Sequence, residues 1–328
     1  MYATGNKKML NMLILEILEQ YSDEEHHLTQ QEILRLLEHN YGMECDRRSV
    51  KSNVLSLVEM GYEIDMTSGY YLADRKFEDA ELRMLIDSVL FSKTISVRQA
   101  KTLIGKLESM GNKYFHAMVS HISNLPELQH GDNKQLIYVV DALNDAIDKK
   151  RKVSFTYNSY GTDFKLHPRR EEPYIVNPYQ MVANNGRFYL LGNYDKYDNI
   201  AHFRLDKVTN IQILDEKIKP LKALPETSRG LNLPTHMAEH IYMFSGASDI
   251  VIFRAKSFLM NELVDWFGDK FTVSDKTDDE MIVRVKCNLQ AMKFWALQYG
   301  PYVEILSPES LREQMISDIE TMRKNYGI

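Results

Sequence analysis

Cysteine is scarce in this sequence: 328 residues hold two, Cys45 and Cys287, far apart in the chain. Such a pair builds no disulfide framework and no metal-ligand spacing, which points to a reducing, cytoplasmic setting. Long apolar runs are missing as well. No stretch approaches the roughly 20 residues that span a bilayer, so no membrane partner is expected. Lys7 and Lys8 are basic, but Asn11, Glu16 and Glu19 interrupt the apolar residues after them, so no signal-peptide core forms. The phosphate-binding loop, the dinucleotide glycine fingerprint, the GxSxG elbow and the HExxH zinc motif are all lacking. His116, His121 and His130 are scattered and read as packing or surface residues. These absences favour a binding protein with no catalytic centre, no metal and no cofactor.

What is present is ordinary for a folded chain, 44% hydrophobic and 26% charged, and its length suits roughly two to four domains. The net charge of −6 is unevenly spread. Residues 1–75 carry 7 basic against 13 acidic side chains, and residues 76–145 carry 8 against 9. Residues 146–220 reverse the sign with 13 against 9, and residues 221–328 return to 12 against 15. The net-positive stretch is where an anionic ligand is expected.

The N-terminal apolar residues recur at helical spacing. Leu10, Leu13, Ile14, Ile17 and Leu18 mark a first helix over 7–20. Thr29 and Glu32 form a capping-box pattern that opens a second helix from Gln30 to about Tyr41, ended by Gly42. Asp46 caps a third from Arg47 to Met60, with Val50, Val54, Leu57 and Val58 on one face and Gly61 at its end. Residues 62–66 and 70–72, around Thr67-Ser68-Gly69, predict a two-stranded wing. Three helices and a hairpin in this order resemble the winged helix-turn-helix of bacterial regulators that join it to a WYL domain. The resemblance implies a DNA-binding domain over 1–75, with the third helix in the major groove of a duplex operator. Its outward N-terminal residues Arg47, Arg48, Ser49, Lys51, Ser52 and Asn53 then suit phosphate and base-edge contacts. The competing reading is a solvated basic helix end. The −6 of this segment restricts any positive field to that helix end.

Residues 76–150 read as a helical linker, with apolar stripes Leu82, Leu85, Ile86, Val89, Leu90, then Ala100, Leu103, Ile104, Leu107, then Val140, Leu143, Ile147. From 151 to 217 the period changes to that of strands. Asn184-Asn185-Gly186 is a strong hairpin signal between two alternating runs. If Phe188, Leu190, Phe203 and Leu205 face the core, Arg187, Tyr189, His202 and Arg204 converge on the other side. Phe188-Tyr189-Leu190, Phe203-Arg204-Leu205-Asp206-Lys207 and Pro178 resemble the hallmarks of the WYL domain, with phenylalanine in place of its tryptophan. The resemblance implies a small Sm-like (SH3-type) β-barrel that senses a nucleotide or single-stranded nucleic acid. Arg204, Arg187, His202 and Tyr189 are then the leading ligand contacts, and His167, Arg169, Tyr157 and Tyr179 a second tier. Guanidinium groups pair with phosphates and tyrosines stack on bases. The structural alternative pairs Arg204 with Asp206 and half-buries the tyrosines in the barrel.

Residues 218–245, with Pro220, Pro225, Gly230 and Pro234, read as a connector. Residues 246–328 follow a β-α-β-β-α-β-α order, a ferredoxin-like layer that resembles the extension after WYL domains. By that resemblance it assists dimerisation or ligand gating. Trp266 and Trp295 lie in apolar helical stripes and are expected in its core. The whole is an α+β multidomain protein, read as a homodimeric transcription regulator that responds to an anionic effector. The alternative is an accessory or defence-system protein whose WYL surface binds RNA or single-stranded DNA as its main task.

Overall fold

The computed structural model describes residues 9–115, 135–228, 230–246 and 248–327; His116, His121 and His130 lie outside them. The chain divides into two compact units, Met1–Asp132 and Asn133–Ile328.

In the first unit, α1 (Leu10–Tyr21) buries the five apolar residues of its periodic stripe. Helix α2 (Gln30–Tyr41) opens on a complete capping box between Thr29 and Glu32 and ends at Gly42, whose φ of 64° is the left-handed turn a helix end needs. Helix α3 (Arg47–Glu59) opens on Asp46, whose carboxylate accepts the Ser49 amide at 2.7 Å. A short antiparallel hairpin follows, β1 (Ile64–Asp65) and β2 (Tyr71–Leu72). Ile33, Leu37, Val50, Val54, Leu57, Ile64 and Leu72 complete one core with α1. Val58 departs from expectation: it sits one helical step past Leu57, at the edge of the buried face, and is exposed. The Arg75 guanidinium reaches back to the carbonyls of Leu18, Glu19 and Ser22 and closes the C-terminal end of α1. Helices α4 (Asp79–Phe91) and α5 (Val97–Glu108) pack through Leu82, Ile86 and Phe115, with Leu90, Ile104 and Leu107 against them.

Helix α6 (Leu136–Asp148) belongs to the second unit, so the helical stretch 76–150 is shared between the two. Its Leu136, Val139, Leu143 and Ala146 are buried, and it packs on the sheet that follows. That sheet comprises β3 (Arg151–Tyr160), β4 (Leu166–Pro168), β5 (Tyr174–Asn184), β6 (Arg187–Asn193), β7 (Ala201–Arg204) and β8 (Val208–Lys217). Strand order is β4-β3-β5-β6-β7, with β8 also on β3. Register shifts in the β3–β8 and β5–β6 pairs bend the sheet into a curl. Asn185 and Gly186, at φ 49° and 71°, make the tight β5–β6 turn with both residues left-handed. Gly192 lets β5 and β6 approach closely: a Cβ there would stand 2.6 Å from Val176 Cγ1 and 3.0 Å from the Asn177 carbonyl.

The stretch read as a connector is packed chain. Leu221, Leu224, Leu231, Leu233, Met237 and Met243 cover Tyr179, Leu191 and Ile200 of the sheet. Its prolines and glycine mask apolar residues that have no regular period. It includes a short helix, α7 (Leu233–Glu239), and we call the whole segment the strap. The strap is tied to the β5–β6 turn by Asn184 and Asn185, whose amides donate long hydrogen bonds to the Ile241 carbonyl. The C-terminal layer runs β9 (Ser248–Lys256), α8 (Met260–Phe267), β10 (Phe271–Ser274), β11 (Glu280–Asn288), α9 (Leu289–Gln298), β12 (Val303–Ser307) and α10 (Glu309–Asn325). Its strands are all antiparallel in the order β10-β11-β9-β12. Val251, Phe253, Val283, Val285 and the fully buried Trp295 form its core, and Trp266 packs half-buried against it. Among the described residues, no helix is long and apolar enough to cross a membrane.

The cap on α3 gives a direct stability prediction. Asp46→Ala leaves the Ser49 amide without its acceptor and lowers stability by about 1 kcal/mol in urea unfolding; an unchanged midpoint contradicts the cap.

Candidate functional site

Strands β3, β6 and β7, the loops beside them and the end of the strap enclose a cavity of about 690 Å³. Its base is aromatic. The Phe203 ring meets Tyr157, Tyr174 and Tyr194 edge-on, at centroid distances of 5.5, 6.4 and 5.5 Å. Tyr157 is also held by polar contact, because its hydroxyl oxygen accepts the Arg204 amide at 3.1 Å. Burial raises the pKa of the Tyr157 and Tyr189 phenols, so both stay protonated at neutral pH. The Arg169 guanidinium stands 5.2 Å over the Tyr157 ring, and that of Arg170 3.8 Å over Tyr174.

The charge of the site is organised by Asp206, whose side chain is 2% exposed. Arg204 grips it with two donors, Nε to Oδ1 at 3.1 Å and Nη2 to Oδ2 at 2.6 Å. Arg187 approaches the same Oδ2 at 3.5 Å. The ion-pair alternative for Arg204 is therefore present, and its guanidinium still lines the cavity. Lys207 lines it too. Burial and then the nearby Arg204 and Arg169 charges depress the Lys207 pKa, while Asp206 opposes them. An ammonium destabilised by neighbouring cations gains from an anion placed between them.

The structure brings together five of the eight expected ligand contacts, Tyr157, Arg169, Tyr189, His202 and Arg204, around this cavity. Arg187 adjoins it through Asp206. Tyr179 and His167 stand elsewhere. Tyr179 packs under the strap and donates its hydroxyl to the Lys219 carbonyl at 2.9 Å; burial pushes its pKa up to about 12. His167 is exposed on β4, paired with Asp163 at 3.0 Å. Phe188 was expected in the core and is 39% exposed, whereas Leu190 and Leu191 are both buried. The strap covers the second face of β6 at Leu191, so strict alternation fails there. Sequence reasoning missed Tyr174, Tyr194 and Lys207, which neighbour the alternating runs, and Tyr242 and Phe244, which arrive from the strap with no local signal.

In the first unit, Arg47, Arg48, Lys51 and Ser52 are exposed at the start of α3, and Ser49 and Asn53 are half-buried. The Asn53 amide donates to the Ser49 carbonyl at 2.7 Å, which holds that side chain along the helix.

A second cluster went unnoticed in the sequence. His202 on β7 meets His236 and His240 of the strap, with His202 Nε2 2.8 Å from His236 Nε2. His236 and His240 are four residues apart, and their rings stack at 4.2 Å. That spacing was legible, but Met237 stands where HExxH requires glutamate. Burial first, and the neighbouring histidines second, bring the His202 pKa down to about 2; His236 falls to about 4 for the same reasons. Both imidazoles are neutral at physiological pH.

The buried carboxylate is the point of greatest leverage. Asp206→Ala leaves Arg204 and Arg187 facing each other without a counter-charge and costs about 3 kcal/mol in urea unfolding. A loss within measurement error removes the organising role assigned to Asp206.

The WYL domain family matches residues 138–213, and the WCX domain family matches residues 255–323. No curated protein matches the chain. Among solved structures it is similar to proteasome accessory factor B/C (PafBC) of Arthrobacter aurescens, at 13% identity and a TM-score of 0.31. That alignment covers 98% of this chain and 49% of the other, so the chain spans about half the length of that relative. It is also similar to a CRISPR Cas-related protein, at 13% identity and a TM-score of 0.41, over 97% of this chain and 84% of that one. The curled sheet falls on the first family match and the C-terminal layer on the second, so the chain contains a WYL domain followed by a WCX domain.

Proposed function

We propose that this protein is a nucleic-acid-responsive transcription regulator, in which the WYL cavity binds an anionic effector and the N-terminal unit reads duplex DNA. The observation that carries the reading is the junction of cations and tyrosines in one cavity, with Arg204, Arg169 and Lys207 beside Tyr157, Tyr174 and Tyr189. Phosphate and base recognition need those two chemistries side by side. A nucleotide, or the end of a short single strand, has both parts. In this reading Arg204, fixed by Asp206, supplies a rigid positive wall, and the exposed Arg169 and the amine of Lys207 make the adaptable phosphate contacts.

The first unit serves as a winged helix-turn-helix. Helix α3 enters the major groove, Arg47, Arg48 and Lys51 meet phosphate or base edges, and the β1–β2 hairpin is the wing. The acidic surroundings keep non-specific affinity low, so operator binding depends on specific contacts and on a homodimer matching a two-fold site. The C-terminal layer acts in dimerisation or in gating the cavity. Effector binding shifts the population of dimer geometries and so changes operator affinity.

Titration of the protein against its own upstream DNA at two salt concentrations, with and without nucleotides and short oligonucleotides, tests this reading. Arg47→Ala with Arg48→Ala weakens duplex binding by about tenfold or more and reduces the salt slope by about 2. Unchanged duplex affinity sinks the assignment of α3. Arg169→Ala and Lys207→Ala each weaken effector binding about tenfold, with operator binding in its absence unchanged. Binding of single strands alone, with no duplex affinity at low salt, overturns the operator reading.

A further inference from the structure

The histidine cluster has a chemistry that effector recognition does not use. We propose that His202, His236 and His240 form a three-histidine binding site for a divalent transition metal of the zinc class.

Geometry carries the proposal. One ring nitrogen from each histidine lies within 4.8 Å of the others. The nitrogens of a tetrahedral zinc site lie about 3.3 Å apart, given zinc–nitrogen bonds of about 2.0–2.1 Å. The 2.8 Å between His202 and His236 therefore opens by about half an ångström on binding, and His240 closes by about 1.5 Å at most. Side-chain rotation supplies movements of that size.

The outer hydrogen bonds are those of metal ligands. His240 Nδ1 lies 2.9 Å from the His236 carbonyl, and when it donates there, Nε2 keeps its lone pair. A backbone carbonyl that takes the second ring proton in this way orients an imidazole toward a metal. The Gly246 carbonyl lies 3.3 Å from His240 Nε2, so in the metal-free chain this ring has an acceptor at both nitrogens and, when neutral, one proton for the two. His202 Nδ1 is buried and makes no hydrogen bond of normal geometry, although the Phe244 backbone is near enough to favour a proton on that ring. The 2.8 Å contact between His202 and His236 uses one proton between two nitrogens. When a cation takes both Nε2 lone pairs, that proton moves to Nδ1 of its own ring, so each imidazole stays neutral and binds through an unprotonated nitrogen.

The donor set selects the metal class. Three imidazoles suit zinc and its neighbours, whereas calcium and magnesium require oxygen ligands. Three protein ligands leave a coordination position open, and His202 also lines the cavity with Arg204. Water, or an anionic oxygen of a cavity ligand, completes the set. The bond network would join β7 to the strap.

The full-length protein, stripped with a chelator and desalted, is titrated with zinc against a chromophoric competitor and, separately, with cobalt(II). The expected result is one zinc per chain at micromolar affinity or tighter, with visible cobalt bands of a tetrahedral nitrogen-ligated centre. Zinc then shifts the imidazole nitrogen resonances of three of the ten histidines. His202→Gln and His236→Gln each weaken zinc binding by more than about tenfold while circular dichroism stays unchanged. No zinc uptake by the folded chain, uptake that both substitutions leave intact, or shifts confined to other histidines overturns the site. If the substitutions unfold the chain, the imidazole resonances of the unsubstituted protein decide the question.

Discussion

A charge out of reach of water must be matched, and the Asp206 carboxylate is such a charge. Its oxygens accept two donors from Arg204 and a longer contact from Arg187, so two guanidinium groups take their positions from one acid. Asp206 lies in the 3₁₀ turn Leu205–Lys207, which also buries Leu205 and leads to the buried Val208 of β8. Removing one partner of a buried pair strands the other, which ties the shape of this turn to its charge. The Arg204 backbone is held as well, through Tyr157. The positive wall of the cavity is therefore fixed by the fold itself, and in the proposed reading little ordering cost is left for binding.

The aromatic base completes the design from the other side. Phe203 follows His202 and precedes Arg204, so its ring points to the opposite face of β7 and holds the tyrosines edge-on from within. Tyr157, buried in β3, and Tyr194, half-buried just past β6, are core packing and walls of the cavity at once. The structural and functional readings of such residues are not exclusive here, because packing one end of a tyrosine leaves its other end for a ligand.

The N-terminal fold was legible residue by residue. Capping residues Thr29 and Asp46 and the stop at Gly42 are local signals, and each acts within a few residues of its place in the chain. The hairpin at Asn185-Gly186 was legible for the same reason. Part of the cavity could be read too, since Tyr189, His202 and Arg204 project from paired strands with a period of two. What escaped was non-local. Leu191 is buried because the strap folds over β6, and Tyr242 and Phe244 reach the cavity from about 40 residues downstream of β7. His236 and His240 carried a readable spacing, but their partner His202 lies in another element, and only the tertiary fold unites them.

Four successive residues of the strap answer to different surroundings. Ile241 is part of the C-terminal core, Met243 is part of the cluster beneath β6, and Tyr242 and Phe244 stand between cavity and C-terminal core. Twisting this segment about its own axis withdraws Ile241 and Met243 from two cores together, at a cost of several kcal/mol. The Ile241 carbonyl also accepts the amides of Asn184 and Asn185, which pins the β5–β6 turn to the same segment. The strap thus acts as a rivet: at one place in the chain it fastens the β5–β6 turn and the wall of the cavity to the C-terminal core.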